Sequence, residues 1–444
     1  NDVFVFNLCC LISPTRERAS RLRIVHLSQT DARAGAGRSA YKLHWALRSN
    51  GVDSRMLVAD KQSDDDSVQK AFVSPMANLG YRFKSWKENR LNCSGKINNG
   101  VFFSPGWSGW GGLANNPLVQ AADVVLPRWI NGGFLRPEDF KEIKKPLIWV
   151  LSDVWPFTGG CHYPANCDRF ERECGHCPIL RRSYENDWSK RLWQRKKKAW
   201  EGLDLTIVGP SRWICDLAGR SSLFNDRRIE HIPTGVNVDV FKPRPKEQVR
   251  NELGIPFGRK VVAFGAGNVG ENRKGIHFLK ESLGIIANKN IRGIHLLMFG
   301  QGSEAIEGLP FPSTSVGQID DDNRLSVIYS AADCFVAPSL EENMANTCLE
   351  AMSCGVPLVA FDVGGMPDLI GHKKTGYLSR PMDGSSLAEG ICWVLHTDQP
   401  SNQLSFAARH KAEQKFSLRY QALRFLQLIK QLPTESRPHS LPSK

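Results

Sequence analysis

Cys334-Phe335-Val336-Ala337-Pro338-Ser339-Leu340-Glu341-Glu342-Asn343-Met344-Ala345-Asn346-Thr347-Cys348-Leu349-Glu350-Ala351-Met352-Ser353-Cys354-Gly355-Val356-Pro357-Leu358-Val359-Ala360-Phe361 reads as strand, polar loop, helix, turn, strand. The two apolar runs are continuous rather than alternating, as strands covered on both faces should be. The helix is expected to open near Ala345, at the carboxyl end of the first strand. Ligands of open α/β sheets collect there. A helix N-terminus at that place offers free N–H groups and a positive dipole end, which suits a diphosphate. Glu342 precedes the helix and Glu350 lies within it, with seven residues between them. A carboxylate beside phosphates is costly unless it accepts bonds from hydroxyls, and ribose and hexose supply them. Taken alone, the pair is equally what two surface glutamates flanking a helix start would look like.

Outward from this unit the same alternation recurs. Further strands are predicted at Arg23–Leu27, Arg55–Val58, Ala122–Leu126, Leu147–Leu151 and Leu205–Val208, then at Lys260–Phe264 and Ile294–Phe299. Helical periodicity falls at Ser39–Ser49, Lys274–Leu283 and Ala345–Ser353. Two blocks of strand–helix alternation imply two Rossmann-like doubly wound domains. The chain of 444 residues is too long for one ordinary core and suits two. The break is expected near Pro233-Thr234-Gly235-Val236-Asn237, giving an N-terminal domain at 21–232 and a C-terminal domain at 233–415. A terminal helix follows at 416–432. Residues 1–20 form an apolar and basic extension with no place in this plan, and the Pro/Ser-rich 433–444 reads as a disordered tail.

A second candidate element follows the strand Lys260–Phe264. Gly265 to Gly275 reads as a glycine-rich loop ending in Arg273 and Lys274 at a helix start. Two fixed cations can absorb the charge that develops on a departing diphosphate; a solvated cation pair is the plainer reading. Val316-Gly317-Gln318-Ile319 precedes a helix capped by Asp320–Asp322. That triplet and Asp64–Asp66 read as loop or N-cap acids rather than metal ligands. Ala34-Gly35-Ala36-Gly37-Arg38-Ser39 opens the first helix, where glycines permit close backbone approach to a ligand or simply a tight turn.

The composition is that of an ordinary soluble protein, 41% hydrophobic and 23% charged. A formal charge of +13 asks for an acidic partner without choosing it. The basic run Arg191–Lys198 reads as a solvated helix face. No segment has the run of about 18–20 apolar residues that crosses a bilayer. Four of the twelve cysteines, Cys161, Cys167, Cys174 and Cys177, form C-x5-C-x6-C-x2-C. The spacing suits a tetrahedral structural zinc, with disulfides or free thiols as alternatives. Trp107, Trp110, Trp129 and Trp155 lie near the expected cleft, where a core role is the commoner one for tryptophan.

Glu342 to Gly365 resembles the glutamate–seven–glutamate element of the family-four retaining glycosyltransferases. The resemblance extends over about residues 22–432. It implies the GT-B architecture, two α/β Rossmann-like domains facing across a cleft, and a nucleotide-diphosphate sugar as donor with no metal or other cofactor required for transfer. By that resemblance Glu350 holds the ribose hydroxyls and Glu342 the donor sugar. Met344, Ala345, Asn346 and Thr347 hold the diphosphate through backbone N–H groups. Arg273 and Lys274 match the family's basic pair, Gln318 and Ile319 the base-contacting loop, and Gly37 the first glycine loop. The segments ending in Arg128-Trp129 and Ser152-Asp153 depart from the family, which has histidines where Arg128 and Ser152 stand. Asp153 is retained and can position a hydroxyl. Gly-Gly-Cys-His-Tyr and Cys-Gly-His-Cys-Pro, within the insertion 158–180, resemble a cysteine-rich subset from bacterial surface-polysaccharide pathways. The implied acceptor is a glycan or lipid-linked glycan, met in the cytoplasm or at the inner face of the plasma membrane, where a basic surface permits peripheral contact. No nucleic-acid partner is expected. The departures at Arg128 and Ser152 also admit a catalytically impaired nucleotide-sugar-binding protein.

Overall fold

A computed structural model describes residues 22–32, 35–93, 97, 102–303, 306–396 and 401–432. The expectations for 1–20 and 433–444 lie outside the described residues. Thirteen strands are present among them: β1 Arg23–Thr30, β2 Asp53–Asp60, β3 Val68–Lys70, β4 Val124–Pro127, β5 Leu147–Val150, β6 Leu205–Gly209, β7 Arg228–His231, β8 Lys260–Asn268, β9 Ile294–Gln301, β10 Ser313–Ser315, β11 Cys334–Ala337, β12 Leu358–Phe361 and β13 Gly376–Ser379. They form two sheets, ordered β3-β2-β1-β4-β5-β6-β7 and β10-β9-β8-β11-β12-β13. Every pairing is parallel.

The apolar runs become central strands because both faces are covered. In β5, Leu147 and Trp149 join one core cluster while Ile148 and Val150 join another on the opposite face. In β11, Phe335 and Ala337 face one layer, and Cys334 and Val336 the other. This is the two-residue period of a strand between two helical layers.

Ser417 caps the last helix, Leu418–Lys430, by accepting from the Tyr420 N–H at 3.2 Å. Its apolar face (Leu418, Ala422, Phe425, Leu428 and Ile429) packs with Ile24, Leu43, Leu47 and Val52 of the first sheet's layer. The chain thus crosses to the second sheet after Ile232 and returns at Phe416. The two crossing segments lie side by side: Val236 donates to Phe416 O at 2.7 Å, and Leu418 donates to Val236 O at 3.1 Å.

Two local expectations change. β8 runs on to Asn268, so Gly265 to Asn268 are strand rather than loop. Gly265 is needed there because a Cβ would meet the Phe299 ring at 2.2 Å. The basic run lies on the helix Trp188–Trp200, where Lys197 and Lys198 are exposed but Lys196 is wholly buried. Its ammonium donates to the carbonyls of Trp155 and Thr158 and sits over the Trp155 ring. Carbonyls and ring replace the water it has lost, so the face is only partly solvated.

Candidate functional site

The carboxyl ends of the two sheets face each other across a cleft of about 410 Å3. Polar contacts close it from both sides. Arg38 pairs with Asp322, and Lys42 Nζ lies 3.0 Å from Glu350 Oε1. Asn343 Nδ2 donates to Ser152 O at 3.1 Å, and Ser211 Oγ donates to Asn343 Oδ1 at 2.7 Å.

On the second-sheet wall, the loop after β11 leads into the helix Asn346–Ser353. Ala345 stands at its N-cap and offers no side-chain hydrogen bond. The N–H groups of the first turn therefore keep their capacity for an outside acceptor. Met344, Ala345, Asn346 and Thr347 all line the cleft. The Asn346 side chain reaches the other wall, donating to Gly35 O at 3.2 Å and accepting from Ser39 Oγ at 3.1 Å.

Arg273 and Lys274 lie on a short 3-10 turn ended by Gly275, whose φ of 68° is left-handed. A Cβ at Gly275 would stand 1.9 Å from Pro338 O, so the turn packs directly on the Glu342 loop. Lys274 Nζ and Arg273 Nη1 both reach Glu342 Oε2, at 2.6 and 3.1 Å. Burial alone would raise the Glu342 pKa, but the Lys274 and Arg273 charges outweigh it and hold it down to about 2. Arg273 also stacks on the Tyr163 ring at 4.2 Å. Despite its own burial, Arg273 is held more firmly protonated by Glu342. Two cations, a buried carboxylate and an uncapped helix end thus share one cleft.

Glu350 is buried behind this wall and does not line the cleft. Its Oε1 accepts from Lys42 and its Oε2 from the Tyr329 hydroxyl, each at 3.0 Å. Lys42 was not anticipated, because its position against Glu350 is made only by closure of the two halves. Gln318 is exposed and bonds Asp320; neither it nor Ile319 lines the cleft. Gly37 faces inward: a Cβ there would meet Thr30 O at 2.7 Å, while its neighbours Gly35, Ala36 and Ser39 line the cleft.

On the first-sheet wall, Asp153 lines the cleft with most of its acceptor capacity used. Oδ2 accepts from Trp129 Nε1 at 3.1 Å and His162 Nδ1 at 2.6 Å; Oδ1 accepts from the Trp155 N–H at 2.9 Å. His162 is clamped between Asp153 and Ser104 Oγ, the latter at 2.9 Å. Of the four tryptophans singled out, Trp129 alone lines the cleft, and Trp155 is core.

The zinc expectation finds no support. Cys161, Cys167, Cys174 and Cys177 line one cavity of about 20 Å3 as free thiols. Among the described residues, however, no three His, Cys, Asp or Glu side chains are grouped to hold a metal ion. Burial raises the Cys174 and Cys177 pKa to about 12 and about 11, which keeps both protonated near neutral pH. Cys174 Sγ is already turned to accept the Gly159 N–H at 3.2 Å.

Residues 259–397 match the family model described as glycosyl transferases group 1. A sulfoquinovosyl transferase of Arabidopsis thaliana is 30% identical over 248 residues, 54% of this chain and 47% of that protein. A D-inositol 3-phosphate glycosyltransferase of Corynebacterium jeikeium is 29% identical over 305 residues, 64% of this chain and 69% of that protein. The chain thus spans about half the length of the first relative and about two thirds of the second. Anabaena HepE, solved with UDP and glucose, superposes with a TM-score of 0.61 at 16% identity, covering 92% of this chain and 100% of that one. The molecule therefore has the GT-B fold, and its residues 259–397 match the glycosyl transferases group 1 model.

Proposed function

We propose that this protein is a retaining glycosyltransferase that moves a sugar from a nucleoside diphosphate sugar to an acceptor held by the first-sheet wall. The observation that carries this reading is the convergence of Arg273, Lys274 and the uncapped start of the helix Asn346–Ser353 on one cleft. Without donor, Glu342 occupies both cations. With donor, the diphosphate oxygens take over part of that N–H capacity, and Glu342 turns to the sugar hydroxyls. As the bond from C1 to the phosphate oxygen breaks, the charge left on the diphosphate falls on Arg273, Lys274 and the helix end, a stabilisation of several kcal/mol in a closed site. The acceptor oxygen bonds C1 on the face the diphosphate leaves, and its proton passes to the departing phosphate oxygen. Glu350 serves the ribose once Lys42 gives way. Asp153, occupied by three donors, acts by positioning Trp129 and His162. The names of the relatives, which describe glycosyl transfer, and the UDP and glucose bound by HepE support a nucleotide-sugar donor. The cysteine-rich resemblance supports a glycan or lipid-linked acceptor in surface-polysaccharide synthesis, and the basic surface supports peripheral membrane contact.

The test is thermal stabilisation by UDP, GDP, ADP and their sugars, followed by transfer or hydrolysis assays. One nucleotide should raise the melting temperature. Glu350→Ala should weaken its binding at least tenfold, and Lys274→Ala should slow turnover by about a hundredfold or more. Full binding and turnover in both variants would overturn the reading. Donor binding with neither transfer nor hydrolysis would identify an impaired binding protein, the alternative suggested by Arg128 and Ser152.

A further inference from the structure

The carboxyl ends of β1, β4 and β5 hold a buried cation that nothing balances. Arg128 follows β4 with its backbone fixed: its N–H donates to Leu27 O at 3.0 Å, and its carbonyl accepts from Trp149 Nε1 at 3.3 Å. The residue is only 5% exposed, yet it lines the cleft. Its Nε and Nη1 have no hydrogen-bond partner. Burial alone lowers its pKa to about 10, with no carboxylate offsetting that effect, so it remains charged at neutral pH. His26 on β1 supplies no relief. Burial, and then the charges of His44 and Arg128, hold its pKa well below the usual histidine range, and its Nε2 is unpartnered. Ser152 Oγ, at the end of β5 and on the same wall, is unpartnered too.

An unpaired guanidinium is expensive to bury. Its planar fork of N–H groups matches the oxygens of a phosphate or carboxylate. Arg128 lies on the first-sheet wall, whereas the donor cations Arg273 and Lys274 lie on the other.

We propose that Arg128, assisted by the Ser152 hydroxyl, is the seat for an anionic group on the acceptor, a phosphate monoester or a carboxylate. This rests on the glycosyltransferase reading and narrows its acceptor class. Arg128 and Ser152, which stand where the resembled family has histidines, thus form a different recognition site.

The test is calorimetry on the full chain with glucose 6-phosphate, glucuronate and glucose, with and without UDP, for the parent protein, Arg128→Gln and Ser152→Ala. UDP occupies the donor cations and so confines the anionic probes to the other wall. At least one anionic sugar should bind tenfold or more tightly than glucose. Which of the two does so separates phosphate from carboxylate. Arg128→Gln should erase the preference, Ser152→Ala should reduce it a few-fold, and UDP affinity should stay within twofold in both. Arg128→Gln should also raise the melting temperature of the ligand-free protein by a few degrees, because it removes an uncompensated charge. The proposal falls if glucose binds as well as both anions, if the preference survives Arg128→Gln, or if UDP affinity falls with it. It falls equally if the variant melts lower or does not fold, since Arg128 would then be structural. Failure of UDP to stabilise the protein counts against the donor reading instead, while the probes without UDP still decide the role of Arg128.

Discussion

Glu341 and Glu342 are adjacent in the loop after β11 and meet opposite surroundings. Two cations hold Glu342 ionised, whereas Glu341 is half-buried with the Ala165 N–H as its hydrogen-bond donor, at 3.3 Å. Burial raises the Glu341 pKa to about 7. A carboxyl with a raised folded-state pKa favours folding below its unfolded value, near 4.5, and loses that contribution as pH climbs through 7. Glu341→Gln should therefore unfold like the parent near pH 4 and be about 1–3 kcal/mol more stable at pH 8, as urea titrations at the two pH values would reveal. Glu342 runs the other way. Its folded pKa is depressed, so its contribution is present above about 4.5 and is lost as pH falls toward 2. Glu342→Gln should cost about 3 kcal/mol at pH 7, by leaving Arg273 and Lys274 without their buried partner, and should flatten the acid limb of the stability profile. Glu342, Arg273 and Lys274 were legible in the sequence because each flanks a strand end and a helix start. The pairings of Lys42 and His162 were not. Their roles come from partners far along the chain, Glu350 for Lys42 and Ser104 for His162, and a period of two or 3.6 carries no information about such meetings.

The nine strands predicted from apolar runs are all present, at shifted ends, and the four that sequence reading missed are β3, β7, β10 and β13. These are the outer strands of the two sheets. Each is three or four residues long, and Val-Gln-Lys, Arg-Ile-Glu-His and Ser-Thr-Ser contain too few apolar residues to register as buried runs. An edge strand pairs on one side and is half-solvated, so it lacks the hydrophobic signature of the centre. The glycine-rich element was misread for a related reason. Gly265 and Gly267 looked like loop, but β8 keeps them because Phe299 fills the space a side chain would need at Gly265. Gly275 is the residue that sets the cation turn. Gly275→Ala would need a left-handed backbone and would push on Pro338 O. It should cost at least about 1–3 kcal/mol and weaken binding of the stabilising nucleotide more than tenfold, measured by thermal unfolding and calorimetry on one preparation.

At the scale of the molecule, two α/β units were readable from the repeated strand–helix alternation, but the destination of the last helix was not. Its amphipathic pattern announces a buried face without saying whose. The structure seats Leu418–Lys430 on the first sheet's layer, against Ile24, Leu43 and Leu47. Phe425→Ala should therefore destabilise the first-sheet half by about 3–5 kcal/mol, even though the residue follows the whole second sheet in sequence. Residues 22–232 expressed alone should be poorly soluble, and a supplied peptide spanning 417–432 should restore a cooperative melt. The return of the chain has a mechanical consequence as well. Both described ends, Leu22 and Leu432, belong to one half, so the other half hangs from it as a loop held by two adjacent cords, Val236 and Ser417. A pair of joined cords bends more easily than it twists. A rocking movement that opened the cleft would turn about that line. A load applied between Leu22 and Leu432 would pass through the first half and leave the half carrying Arg273, Lys274 and Glu342 slack.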